Sequence, residues 1–401
     1  MKLKLTVVAG PHQGREFVFD GYDTFLVGRA SDAHFQLPAD DPYFSRRQFL
    51  VEVNPPRCRV IDLNSRNGTQ LNGVRVQAAE VSDGDEVGAG HTVFRVRVLG
   101  PDPDGVATLD LPAAPGDDAT RAPEVSLPEL PGYRVENELG RGGMGVVYRA
   151  TSARTGQPVA VKTITPARGA DRKQIDRFLR ECRILGELDH PHVVAFREVG
   201  EADGVLFLAM DLIDGPDLGG WLKARGPEDP RTAVRIVCQM LGGLAHAHSK
   251  GYVHRDIKPA NVLIHRDGAK QVTKLADFGL ARVYESSRLS GLTLQGDVGG
   301  TPAYMAPEQA THYRDVRPAA DQYSAAATLY KLLTARPPHD LPKDVCGQIA
   351  HIVTAAPVPI RDRRPDLSPE LAAVIDKALS RDPTDRYPNV VSFRQELKRF
   401  A

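Results

Sequence analysis

The sequence predicts a multidomain chain, with an all-β sandwich over residues 1–99 followed by a two-lobed α+β domain over residues 132–400. Three observations carry that expectation. The first part alternates short β-branched and aromatic runs with turn signals, and no window in it has good helical periodicity. Residues 100–131 gather prolines and aspartates without one aromatic side chain. From Tyr133 onward, strand-like runs come first and long helical patterns later, the order of an α+β domain with two lobes. At 401 residues the chain is long enough for two or three domains, each with its own core.

In the first part, Leu3 to Ala9, Arg15 to Phe19, Thr24 to Val27, Phe49 to Val53, Arg57 to Asp62 and Thr92 to Val98 read as strands. Asn67-Gly68 and Asn72-Gly73 supply tight turns with positive φ. Pro101, Pro103, Pro112, Pro115, Pro123, Pro128 and Pro131 punctuate the next stretch. It cannot bury enough apolar surface to offset chain ordering, so a flexible linker is expected, spanning roughly 30 Å as a coil. Beyond it, strands run to about Leu212, interrupted by a charged helix near Asp171 to Leu188. Helical patterns follow at Arg231 to Ser249, Asp321 to Leu333 and Pro369 to Leu379.

Composition excludes several classes. Lysine plus arginine equal aspartate plus glutamate at 51 each, so net charge points to neither a nucleic-acid nor a membrane partner. Cys58, Cys182, Cys238 and Cys346 are far apart, which favours isolated thiols over disulfides or zinc. The basic-then-apolar opening is cut off by Gly10-Pro11 and reads as a strand rather than a leader. No stretch approaches the ~18 apolar residues of a membrane helix, and a cytoplasmic location is expected. His246 and His248 cannot share a metal, because residues two apart on a helix point about 200° apart.

The densest chemistry lies in His254-Arg255-Asp256-Ile257-Lys258-Pro259-Ala260-Asn261. An acid, a lysine and an amide stand at offsets of two and five. Phosphoryl transfer needs such a set: a carboxylate to orient a hydroxyl, a cation for the moving phosphate and an amide oxygen for Mg²⁺. Asp277-Phe278-Gly279 brings a second carboxylate on a turn. Upstream, Leu139-Gly140-Arg141-Gly142-Gly143-Met144-Gly145-Val146-Val147 allows close backbone approach to phosphates, and Val159-Ala160-Val161-Lys162 follows on a strand.

In this order the motifs resemble the eukaryotic-type protein kinase family across residues 133–399, in a style that looks bacterial. The resemblance implies that Gly140, Gly142 and Gly145 cover the phosphates of ATP. Lys162 would hold the α- and β-phosphates and pair with Glu181, with Glu187 as the alternative. Leu139, Val147, Ala160, Met210, Asp211, Ile213 and Leu263 would complete the nucleotide site. Asp256 and Lys258 would serve the transfer, while Asn261 and Asp277 would bind Mg²⁺, with Mn²⁺ as an alternative ion. Lys258 and Gly300-Thr301-Pro302 are the serine/threonine form, and Glu308 is expected to pair with Arg386. Ala326 and Ala335 depart from the family, which often has glycine there.

Gly28-Arg29, Ser45 and the run Asn64 to Gly73 fall at turns and strand ends, where a sandwich collects binding residues. Together they resemble a forkhead-associated (FHA) domain, a phosphothreonine reader. That implies a phosphate gripped by Arg29 and Ser45, with Arg46, Ser65 and Arg66 as neighbours and Asn67 on the peptide backbone. Gln48 departs from the family's histidine, whose task is to steady the loop.

The resemblance further implies activation-loop autophosphorylation at Thr293 and Thr301, and an Arg255 that stays unbalanced until a phosphate meets it. Expected partners are proteins with target Ser/Thr and phosphothreonine-containing proteins, this chain's own phosphorylated segments among them; self-association is a further option. Because the sequence stops at Ala401 with no sensor segment after the second domain, the signal is expected from within the cell or through a partner. The reading from another class is an inert kinase-fold scaffold that serves as a phospho-dependent binding module.

Overall fold

The computed structural model describes residues 2–20, 23–37, 42–54, 57–99, 127–142, 145–164, 172–268, 270–278, 302–312 and 316–401. Most of the expected linker therefore lies outside the described residues.

The first part is a two-sheet sandwich. Its strands are β1 Lys2–Ala9, β2 Glu16–Asp20, β3 Asp23–Gly28, β4 Phe35–Gln36, β5 Phe49–Asn54, β6 Arg57–Asp62, β7 Thr69–Leu71, β8 Val74–Val76, β9 Ala78–Glu80, β10 Glu86–Ala89 and β11 Thr92–Leu99. One sheet runs β2-β1-β11-β10-β7-β8 and the other β4-β3-β5-β6-β9. Alternation sends Leu3, Leu5, Val27, Phe49, Val51, Val60, Phe94 and Val96 into the shared core. The six strands expected from sequence are present. The short ones, β4 and β7 to β10, carry too few residues to show a period of two.

The second part begins with a five-stranded antiparallel sheet. Its strands are β12 Tyr133–Gly142, β13 Gly145–Ser152, β14 Pro158–Ile164, β15 Phe196–Ala202 and β16 Val205–Asp211, in the order β12-β13-β14-β16-β15. Helix α1 (Arg172–Ile184) packs on it, and its buried Phe178 and Cys182 join the same core. The following lobe holds α2 Leu218–Arg225, α3 Pro230–Ser249, the hairpin β17 Val262–Asp267 and β18 Lys270–Leu275, α4 Pro307–Thr311, α5 Pro318–Thr334, α6 Val345–Thr354, α7 Ile360–Arg363, α8 Pro369–Ala378 and α9 Val390–Leu397.

Capping explains where these helices start. Asp229, Asp344, Ser368 and Asn389 each accept a hydrogen bond from an N–H of the first turn, and α3 and α8 place proline at the first position. Buried α3 and α5 form the centre of this lobe, with Tyr323 and Tyr330 fully enclosed. All four cysteines are buried and none forms a disulfide. No helix among the described residues is long and apolar enough to cross a membrane.

The β3-β5-β6 sheet has two apolar faces. Leu26, Leu50 and Ile61 point away from the sandwich core and are fully buried against Ile349, Ala350 and Val353 of α6 and Ala310 of α4. The sandwich is thus docked on the helical lobe.

Candidate functional site

The cleft between the two lobes is built from three short segments. In β12–β13, Gly142 pairs with Gly145 and closes the hairpin. Gly145 has φ +137, and a Cβ there would collide with the carbonyl oxygen of Thr163, so only glycine fits. Gly140 and Gly142 are exposed and open on their Cα side, and Leu139 is 49% exposed at the mouth. Register places Val147 opposite Lys162, Lys162 opposite Leu208 and Ala160 opposite Met210, so these residues share one sheet face. Asp211 at the end of β16 accepts from Arg197 Nε at 2.6 Å, and Ile213 follows it. Met210 also lines a small apolar cavity with Leu185, Leu188, Phe196 and Phe278.

Lys162 is nearly buried, and its Nζ lies 2.8 Å from Asp277 Oδ2. Burial would push the Asp277 carboxyl up, but the Lys162 charge and hydrogen bond, helped by His254 and Lys258, hold it below the usual aspartate value. Glu181 sits on α1, but its side chain lies outside the described residues. Glu187 is exposed on the turn after α1.

The loop before β17 is wired to itself. Lys258 Nζ donates to Asp256 Oδ2 at 2.9 Å. Asn261 Nδ2 donates to the Asp256 carbonyl at 2.7 Å and to Asp256 Oδ2 at 2.9 Å. The Asn261 amide nitrogen is thereby committed, so its oxygen and the Asp277 carboxylate are the donors to weigh for a cation. That donor pair, all hard oxygen, fits Mg²⁺. Leu263 stands on β17 two residues on.

Asp321 on α5 fixes the loop backbone. Its Oδ2 accepts from His254 N and from His248 Nε2, both at 2.8 Å, and its Oδ1 accepts from Arg255 N at 2.8 Å. His248 is thus a brace for Asp321, a role that the metal question in the sequence does not suggest; His246 instead stacks near His190 with centroids 5.3 Å apart. Arg255 and Asp277 have φ of +68 and +58, local strain of the kind that collects at functional sites. The carbonyl of Arg255 accepts from Gln309 Nε2 at 2.8 Å.

The expected pair of Glu308 and Arg386 forms a two-pronged contact at 2.6 and 2.9 Å. Thr293 and Thr301, with Gly279, lie outside the described residues.

On the sandwich, Arg29 follows β3, Ser45 and Arg46 precede β5, and Ser65, Arg66 and Asn67 lie between β6 and β7. Backbone bonds zip these segments together: Arg29 N to Ser45 O at 3.2 Å and Ala30 N to Arg46 O at 2.8 Å. A side chain at Gly28 would strike the Arg46 carbonyl, so glycine permits this approach. Ser45 Oγ accepts from Arg66 N at 3.0 Å, and Asn67 Nδ2 donates to Tyr43 O at 2.7 Å. Arg46 and Arg66 are exposed beside Ser45.

Ser65, expected as a neighbour of the phosphate, is held in the sandwich. It is 7% exposed, and its hydroxyl donates to Asp62 and accepts from Gln48. Gln48 itself is fully buried; it accepts from Ser45 N at 2.9 Å and donates to Ser65 Oγ at 2.7 Å and Gly68 O at 3.0 Å. One amide thus ties the two loops together, the steadying task left open by the missing histidine.

Comparison with known proteins agrees with both halves. The protein kinase domain model matches residues 133–396, and the FHA domain model matches residues 25–90. Serine/threonine-protein kinase pkn3 of Myxococcus xanthus is 37% identical over 272 residues, 66% of this chain and 49% of its own length. Serine/threonine-protein kinase PkaA of Streptomyces coelicolor is 40% identical over 266 residues, 63% of this chain and 47% of its own. The chain spans about half the length of these curated relatives. The solved kinase domain of Mycobacterium tuberculosis PknI is 32% identical with a TM-score of 0.53, covering 67% of this chain and 95% of that one. Rad53 1–466 in complex with AMP-PNP covers 99% of both chains at a TM-score of 0.53 and 21% identity, a likeness of fold alone. The chain belongs to the protein kinase family, of the bacterial serine/threonine kind, with an FHA domain ahead of the kinase domain.

Proposed function

We propose that this protein transfers the γ-phosphoryl group of ATP to serine or threonine hydroxyls and uses its FHA domain to bind phosphothreonine segments. The observation that carries the reading is the joint wiring of Asp256, Lys258, Asn261, Asp277 and Lys162 in one cleft. Asp256 orients the substrate hydroxyl and takes its proton as the oxygen attacks the γ-phosphorus. The bond from that phosphorus to the bridging oxygen breaks, and ADP leaves. Lys258, already 2.9 Å from Asp256, meets the charge on the transferring group. Lys162, aided by Glu181, holds the α- and β-phosphates. Leu139, Val147, Ala160, Met210, Asp211, Ile213 and Leu263 enclose the base and sugar, under a roof of Gly140, Gly142 and Gly145. Asn261 and Asp277 hold Mg²⁺, which supplies neutralisation of phosphate charge.

Thr293 and Thr301 are the proposed autophosphorylation sites, with Thr293 first. On the sandwich, Arg29, Ser45, Arg46 and Arg66 take the phosphate by charge-assisted hydrogen bonds, and Asn67 takes the peptide backbone. The domain boundaries that go with this reading are residues 1–99, a linker at 100–131 and residues 132–400. Target proteins and phosphothreonine proteins are the partners.

The test is incubation with ATP and Mg²⁺, followed by mass-spectrometric mapping of phosphate. Incorporation should fall by about 10²–10⁴ in Asp256→Asn, the range of a lost general base. Equal incorporation in that variant, or none in the native chain, would favour the inert scaffold instead.

A further inference from the structure

We infer that the FHA sandwich is a resident partner of the helical lobe, and that its phosphate loop is part of the dock, so a phosphopeptide bound there changes kinase output within the same chain. The inference rests on the phosphothreonine reading given above.

The dock is written into the strands. A sandwich strand that faces water on one side alternates apolar and polar residues, but Phe49-Leu50-Val51 and Val60-Ile61 are apolar on both sides. Leu50 and Ile61 are fully buried in one cluster with residues of α6 and α4. Glu52 and Arg59, paired on that same outer face, are 4% and 7% exposed. The covered face therefore extends past Leu50 and Ile61 to this ion pair.

The phosphate loop takes part directly. Arg47, two residues after Ser45, donates to the carbonyl of Val353 at 3.5 Å, near the end of α6. Arg381 of the helical lobe donates to the next carbonyl, Thr354, at 2.8 Å. Both guanidiniums meet the negative end of α6, where cations are favoured. Arg47 also pairs with Asp32, which keeps the two phosphate-side turns in register.

From the dock a contiguous path reaches the catalytic loop. The His34 ring lies 4.3 Å from the His312 ring, centroid to centroid, at the end of α4. Gln309 on α4 donates to the carbonyl of Arg255, the residue before Asp256. Glu308 on the same short helix holds Arg386, which also donates to the carbonyl of Arg381 at 3.2 Å. A peptide that shifts the Ser45–Arg47 turn therefore loads α4 and α6, and through α4 the backbone that carries Asp256. Linkage makes this reciprocal: whatever resets α4 alters peptide affinity.

The experiment uses the full chain and a substrate peptide without phosphothreonine. A second peptide carrying phosphothreonine and no other hydroxyl is titrated in, with its binding followed by fluorescence anisotropy. We expect kcat or KM for the substrate to change at least threefold at saturation, independent of protein concentration. Arg29→Ala should abolish both binding and response. Arg47→Ala and His312→Ala should keep binding within about threefold yet lose most of the response. Binding without any change in kcat or KM would overturn the coupling and leave the phosphothreonine reading standing. Absence of binding would overturn both, and a response that grows with protein concentration would assign the dock to a second copy instead. Labelling of Cys346, buried within the dock, gives a check free of any variant. It should react at least 100-fold more slowly than a free peptide thiol; rapid labelling in the folded chain would refute docking.

Discussion

Asp321 accepts two backbone N–H groups and one imidazole N–H, and it does so while 1% exposed. A buried carboxylate is tolerable only with such partners, and its reward here is a fixed peptide plane at Arg255. Gln48 plays the same part in the sandwich. Gln48→Ala would remove the amide's bonds to Ser45 N, Ser65 Oγ and Gly68 O together, at a cost of about 2–3 kcal/mol, and should weaken phosphopeptide binding. Thermal melts with peptide titration would show it; an unchanged melt would remove Gln48 as the brace. His339 gives a pH prediction. It is 2% exposed, bonds Tyr323 Oη through Nε2 and sits perpendicular to the His351 ring. Burial, then His351 and Arg363, push its pKa down to about 4 against the opposing pull of Asp340. The folded value lies below the unfolded value of about 6.5, so protonation favours the unfolded chain. Its contribution is complete above pH 6.5 and drains away as pH falls toward 4, about 3 kcal/mol in all. His339→Gln should flatten the stability profile across that window by this amount, as read by denaturant melts at stepped pH.

Helix ends are where the secondary elements show their local logic. Helix α5 closes on Ala335, whose φ of +56 and ψ of +11 are left-handed, with its N–H bonded to the Lys331 carbonyl. Glycine suits that position and alanine does not. Ala335→Gly should therefore stabilise the chain by about 0.5–1 kcal/mol, the relief of strain less the extra freedom glycine gives the unfolded state. A drop in melting temperature would mean that the Ala335 methyl packs usefully. The sequence shows α3, α5 and α8 because they are long or amphipathic and begin at proline or a capping residue. It hides α2, where Gly219-Gly220 interrupt the pattern, and α9, only eight residues long. The catalytic loop is legible because Asp256, Lys258 and Asn261 are neighbours in the chain. Asp321 as their support is not legible from spacing, since it stands 65 residues beyond Asp256 and meets the loop only in the fold. His248 and Gln309 carry no sequence signal at all for their contacts with Asp321 and the Arg255 carbonyl.

The two domains share one buried face, and that face makes a prediction about the molecule as a whole. Ile349 is fully buried in the dock, surrounded by residues from both domains. Cutting the chain before residue 127 would leave it on an open apolar surface together with Ala350, Val353 and Cys346, a patch of the kind that promotes aggregation. The same substitution should then be costly in one context and nearly neutral in the other. In the full chain, Ile349→Thr replaces buried hydrocarbon by a hydroxyl in an apolar site and should cost about 2–3 kcal/mol. In the chain from residue 127 onward, the threonine faces water, stability should stay within about 0.5 kcal/mol and aggregation should fall. Thermal melts and light scattering on the four proteins would decide it. Equal cost in both would mean that Ile349 is held by its own lobe and that the sandwich merely lies against it. A cost confined to the full chain would establish the sandwich as part of the kinase domain's stability. The continuous apolar run Phe49 to Val51 would then be the sequence's own mark of a second partner, one that a strand reading based on a single buried face passes over.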